Sequence, residues 1–189
     1  SLSSIVIPEE VTWSSVTYKV EGISHSCFRN VTSLTSVTIL GSLRSIGDYA
    51  FYGCTNLKSV TISGSVQIIG DYAFSRCPKL TSITIPSGVQ TIGTRAFESC
   101  VGLTTLTIKN GVTSIGDYAF FDCEALTSVS IPSSVTTIGK SAFMECFKLT
   151  SANIGSGVTT ISESAFRSCP LLESITLPAS VTSIGKYAF

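Results

Sequence analysis

The sequence predicts a solenoid: one stack of short coils, mostly β, sharing a single apolar core with a parallel sheet along it. Three observations predict it. A period of 23 residues runs from near the N-terminus to Phe189 without an insertion. Apolar and hydroxyl residues alternate inside each period, and a Gly-led corner recurs once per period. A unit this short cannot enclose its own apolar side chains, so it must stack on its neighbours.

The register is carried by several columns. Phe28, Phe51, Phe74, Phe97, Phe120, Phe143, Phe166 and Phe189 mark it most clearly. Leu34, Leu57, Leu80, Leu103, Leu126, Leu149 and Leu172 keep step, as do Ile39, Ile62, Ile85, Ile108, Ile131, Ile154 and Leu177. Within a coil, Leu57-Lys58-Ser59-Val60-Thr61-Ile62 alternates at its end with β-branched residues on both faces, which predicts a half-buried strand. About seven coils spaced by roughly 4.8 Å give a rod on the order of 35 Å long. The corner Ile69-Gly70-Asp71-Tyr72-Ala73-Phe74 reads as a short helical or 3₁₀ turn, with Asp71 as its cap. Pro86, Pro132 and Pro178 directly follow the sheet strand, where a missing N–H helps to end it.

The ends differ from the middle. Ile5-Val6-Ile7-Pro8 followed by Val11 to Val20 reads as strand, turn, strand, and residues 1–22 are expected to form a hairpin capping the first coil. Residues 23–189 then make about seven repeats, the last truncated, in one domain. Phe189 stops part-way through a coil and Ser1 starts without Met or a charged-then-apolar leader, so the chain reads as a fragment. The unfinished coil is expected to expose apolar core and to promote self-association.

At this point the residues carry a family resemblance. The string I-G-D-Y-A-F-x-x-C-x-x-L-x-S-V-T-I, with I-P-S-S-V-T-T-I-G at Ile131 to Gly139, resembles the BspA-type, or Treponema pallidum-type, leucine-rich repeat over essentially the whole chain. It departs from the generic leucine-rich pattern in having no Asn or Cys at the usual offset after the strand. The resemblance implies surfaces of host-associated bacteria and parasitic protists, adhesion or recognition, and a cell-surface or secreted location. It names no ligand.

Composition bounds the function. Twelve basic and twelve acidic residues among 189 give a formal net charge of zero, which removes the electrostatic case for nucleic acid or an anionic membrane. No apolar run approaches the roughly 18 residues of a spanning helix, so no membrane insertion is expected.

Cys54, Cys77, Cys100, Cys123, Cys146 and Cys169 stand in one column, without the C-x-x-C pairs of zinc sites. Parallel Cβ directions argue against bridging neighbours, so they read as small, reduced core residues, and Cys27 as a core substitution. Unpaired thiols fit poorly with secretion, although burial would protect them. The sequon Asn30-Val31-Thr32 carries slight weight, because Val31 falls in a core column.

His25 is the only imidazole, and no nucleophile elbow, H-E-x-x-H or phosphate loop accompanies it. Neither catalysis nor a cofactor or metal is expected. Asp48, Asp71 and Asp117 read as caps rather than a calcium column, since Thr94, Lys140, Glu163 and Lys186 replace them elsewhere. Tyr49, Tyr72, Tyr118 and Tyr187 form an aromatic column that either binds a partner or stacks between coils.

The outward sheet columns carry the candidate site: Ser59, Thr61, Ser82, Thr84, Thr105, Thr107, Ser128, Ser130, Asn153 and Thr176. They read either as a β-favouring uncharged surface or as a recognition face of many small polar contacts. A third reading, an ice-binding array, requires a flat lattice. The sequence thus predicts a non-catalytic module binding a protein or glycan, with an intracellular protein-interaction scaffold as the alternative.

Overall fold

The computed structural model describes residues 2–189; Ser1, the first residue of the expected cap, lies outside the described residues. The strands follow in chain order as β1 (Ser4–Ile7), β2 (Glu10–Trp13), β3 (Val16–Lys19), β4 (Gly22–Ile23), β5 (Ser36–Ile39), β6 (Ser45–Ile46), β7 (Ser59–Thr61), β8 (Ile68–Ile69), β9 (Ser82–Ile85), β10 (Thr91–Ile92), β11 (Thr105–Ile108), β12 (Ser114–Ile115), β13 (Ser128–Ile131), β14 (Thr137–Ile138), β15 (Ser151–Ile154), β16 (Thr160–Ile161), β17 (Ser174–Thr176) and β18 (Ser183–Ile184). Each coil from residue 36 on supplies one longer strand and one two-residue strand; the two-residue strands of successive coils all pair in parallel, and the longer ones pair in parallel within three groups. The chain is a parallel β-solenoid.

Stacking supplies the core. Neighbouring Phe rings from Phe28 to Phe189 lie 5.1–5.8 Å apart, centroid to centroid, and within 10° of parallel. Phe51 to Phe166 are buried, as are Leu34 to Leu149 in their column. No coil could bury its ring alone, because each face of the ring is covered by the coil before or after it.

The corner is not helical. Tyr72 and Arg76 sit at φ +56° and +58°, and amides around them alternate in direction. Those of Ala73 and Ser75 donate to Gly70 and Tyr72 in their own coil, while those of Tyr72, Phe74 and Arg76 donate to Thr94, Ala96 and Glu98 of the next. A helix or 3₁₀ turn would keep every φ negative and every bond inside the coil, leaving nothing to tie coils together. Asp71 is correspondingly not a cap of its own turn. Its Oδ1 accepts the Thr94 amide at 2.7 Å, as Asp48 accepts Asp71 N–H and Asp117 accepts Lys140 N–H, so the aspartates form an inter-coil ladder.

The N-terminus divides its work differently from the expected hairpin cap. β1 leaves the hairpin and joins the sheet, pairing Ser4–Ile7 in parallel with Ser36–Ile39. β2 and β3 form an antiparallel ribbon, every residue of which is exposed, so it covers no core. Cys27 is also exposed rather than buried: β4 is the edge of its sheet, and no coil lies over it.

Candidate functional site

The two sides of the solenoid are built differently. The two-residue strands form one continuous eight-stranded sheet from β4 to β18. The longer strands form three separate ladders, β1-β5-β7, β9-β11 and β13-β15-β17. Two of the prolines accompany the interruptions. The residue after the strand donates to the coil before it in two of the intact pairings, Leu40 N–H to Ile7 O and Lys109 N–H to Ile85 O, each at 3.0 Å. Pro86, Pro132 and Pro178 occupy that column and have no proton to give. The ladder breaks before the strands that run up to Pro86 and Pro132, but β17, ahead of Pro178, stays paired with β15, so a proline there does not by itself break the ladder.

The expected face lies on these ladders. Ser59, Thr61, Ser82, Thr84, Thr105, Ser128, Ser130, Asn153 and Thr176 are exposed and Thr107 is half-buried, while Val60, Ile83, Leu106, Val129 and Ala152 between them point inward. Register brings Ser82 beside Thr105, Thr84 beside Thr107, Ser130 beside Asn153, and Asn153 beside Thr176. Thr61 and Thr84 face each other across the first break. The interrupted sheet is not the single flat lattice that an ice-binding array requires.

Each break opens the apolar floor slightly. Val60 and Ile62 are 9% exposed and Leu106 and Ile108 8%, against 3% or less for Val37, Ile39, Ile83, Ile85, Val129 and Ile131, while Ala152 and Ile154 of the unbroken β13-β15-β17 ladder lie between at 7% and 5%. A crevice of about 270 Å³ at the first break is walled by Val60, Thr61, Ile62, Ser82, Ile83 and Thr84. A second, of about 460 Å³, runs from Leu106 across Ser130 and Ala152 to Thr176. Their linings carry hydroxyls, one carboxamide and aliphatic carbon, with no ionisable group. Such a surface makes short-range hydrogen bonds and small apolar contacts and exerts no long-range pull on charge.

The other singled-out residues serve the stack. Each thiol from Cys54 to Cys169 donates to the Phe carbonyl 26 residues earlier, at 3.2–3.5 Å. Burial pushes the Cys54 thiol up to about 11 and that of Cys100 to about 12, and raises Cys77 and Cys123 well above the ordinary value. The adjacent thiols of Cys146 and Cys169 act on each other: the neighbouring Cys169, together with burial, raises Cys146, and the neighbouring Cys146 lowers Cys169.

Tyr49 and Tyr72 stack at 4.6 Å. Arg95 takes the next place in that column, its guanidinium 5.8 Å from the Tyr72 ring and 4.3 Å from that of Tyr118, and pairs with the buried Glu98. This cation–π interleaving was invisible without knowing which coils touch. His25 is exposed, 5.5 Å from the Tyr49 ring. Among the described residues no three His, Cys, Asp or Glu side chains group as metal ligands, and no helix is long and apolar enough to cross a membrane.

Comparison with known proteins agrees with this geometry. The BspA type leucine rich repeat region matches in six copies over residues 1–123 and 90–189. Among solved structures, the chain is similar to a leucine-rich repeat protein from Bacteroides ovatus, with 35% identity and a TM-score of 0.86 over 97% of this chain and 48% of that one. The chain therefore spans about half the length of that relative. It is similar also to the leucine rich repeat protein of T. pallidum (28% identity, TM-score 0.68, 96% of this chain and 72% of that). A leucine rich cell surface protein from Faecalibacterium prausnitzii shares 32% identity at a TM-score of 0.63, over 98% of this chain and 66% of that one. No curated protein matches the sequence.

Proposed function

Since the chain belongs to the BspA-type leucine-rich-repeat family, whose fold suggests a protein-interaction module, we propose that it is a non-catalytic recognition module that holds a protein or glycan partner against its hydroxyl-lined sheet. The observation that carries this reading is the uncharged, in-register array from Ser59 to Thr176 over two crevices with aliphatic floors. Many weak polar contacts around small desolvated apolar spots are how extended surfaces select a partner without a deep pocket.

A cell-surface or secreted setting is part of the proposal. It is supported by the name of the Faecalibacterium relative, and the buried thiol column meets the objection from unpaired cysteines. Thiol exchange requires an accessible thiolate, and burial disfavours both access and ionisation at Cys77, Cys100 and Cys123. Self-association through the last coil, where Ile184, Tyr187 and Phe189 are at least half exposed, belongs to the same proposal as a secondary contact.

The test is binding of the purified chain to arrayed extracellular-matrix proteins and glycans, beside a Thr61→Lys/Thr84→Lys/Thr107→Lys variant. Lysine heads reach water from all three positions, so the variant should fold while losing tenfold or more in affinity. Unchanged capture removes the hydroxyl face from consideration.

A further inference from the structure

The most exposed large apolar side chain of the protein is Trp13, at 76%, and neither the core nor the hydroxyl face uses it. It stands on the β2–β3 ribbon. Ser14 and Ser15, at φ +48° and +65°, make the two-residue turn that matches strand twist. Cross-strand pairing sets Val11 opposite Tyr18 and Trp13 opposite Val16, so these four side chains share one face of the ribbon. The other face carries Glu10 opposite Lys19 and Thr12 opposite Thr17, whose hydroxyls lie 3.2 Å apart. The ribbon is two-faced, yet its apolar face is bare: Val11, Val16 and Tyr18 are 48–51% exposed, and the ribbon packs against no other strand. A two-stranded ribbon is marginal alone in water and needs its apolar face covered.

We propose that this face is covered by the same face of a second copy of the chain. Packed about a two-fold axis, the aromatic Trp13 and Tyr18 of one ribbon lie on the aliphatic Val11 and Val16 of the other, an isologous and self-complementary contact. The four side chains offer on the order of 450 Å² per copy, so a pair buries about 900 Å², just under the size of a stable interface. The dimer is accordingly weak, with a dissociation constant on the order of 10–100 µM. Charge favours this occupant over an anionic lipid surface, because Glu9, Glu10 and Glu21 outnumber Lys19 around the ribbon.

Trp13 is the only tryptophan, so its emission reports directly on the contact. Sedimentation and fluorescence of the whole chain from about 1 to about 300 µM should show a dimer forming in step with a blue shift. A Val16→Thr/Tyr18→Thr variant, which keeps strand-forming residues, should weaken it at least tenfold with the unfolding midpoint retained. Ile184→Lys, at the far end of the solenoid, should leave it intact. A monomer with water-like emission throughout overturns the proposal. So does an association abolished by Ile184→Lys but indifferent to the ribbon, or a blue shift obtained only with phosphatidylcholine vesicles. The Thr61, Thr84 and Thr107 lysine variants read out the hydroxyl face independently.

Discussion

Replacing Cys100 by alanine should cost stability at neutral pH and cease to cost it near pH 10. The wild-type side chain is fully buried and its thiol donates to Phe74 O at 3.2 Å. Removing one heavy atom from this site and the weak bond it makes costs about 1 kcal/mol. Burial holds the folded thiol's proton to about 12, against an ordinary value of 9.0 in the unfolded chain. Between those values the unfolded state has released a proton that the native state keeps, so stability is complete below pH 9 and falls as pH rises. The loss approaches about 1.4 kcal/mol per pH unit above pH 9 for this one thiol, so the alanine deficit closes just below pH 10 and reverses above it. Urea unfolding of both chains at matched pH from 7.5 to 10.5, under a phosphine reductant, measures the difference. Tyrosine and lysine titrations occur in both chains and cancel. A gap between the two that stays constant over this range would refute the argument that the thiols are desolvated structural donors.

Three further outcomes test the stack. Gly93→Ala should destabilise by about 1–3 kcal/mol in urea, because its Cβ would stand 2.6 Å from the Gly70 carbonyl carbon, whereas Gly64→Ala, with nothing within 4 Å, should move the midpoint little. Asp71→Ala strips the acceptor from Thr94 N–H and should cost about 1 kcal/mol, visible as faster exchange of that amide. Pro132→Lys restores a donor aimed at Ile108 O; its bond and the extra freedom of the unfolded chain offset to within about 1 kcal/mol. Hydrogen exchange should nonetheless find the new amide protected, and an unprotected one would show that Pro132 plays no part in this break, as Pro178 makes none between β15 and β17.

The columns were legible because a repeat converts sequence separation into spatial contact: once Phe74 and Phe97 share a register position, stacking follows. The outward placement of Thr61 and Thr84 followed from strict alternation around Val60 and Ile83. The features that escaped are those in which one coil's chemistry acts on another's backbone. Gly70 and Asp71 looked like a helix start, and nothing local marks Tyr72 as left-handed. Its conformation is imposed by amides that must bond alternately within the coil and to the next. Pro86 was visible as a stop to its own strand, but the break between that strand and β7 was not, since Pro178 stands at the same place beside an intact β15–β17 pairing. The bareness of Trp13 was hidden for another reason: a hairpin expected to cap the first coil would have core beneath it, whereas the β2–β3 ribbon stands clear of the core.

The two sheets together indicate where the solenoid yields. Every coil on the β4–β18 side is tied to the next by paired strands, without interruption. On the hydroxyl side the ties are missing at β7/β9 and β11/β13, and Val60, Ile62, Leu106 and Ile108 beside the breaks are 8–9% exposed. A bending load on such a stack concentrates at the two breaks, with the continuous sheet as hinge and the buried Phe column between them resisting separation. The face proposed for recognition is therefore also the compliant face, and small opening motions there would widen the crevices beside Thr61 and Ser130 without disturbing the core. A partner that fills either crevice replaces the missing inter-coil ties with its own contacts, so binding should stiffen the array at Val60, Ile62, Leu106 and Ile108.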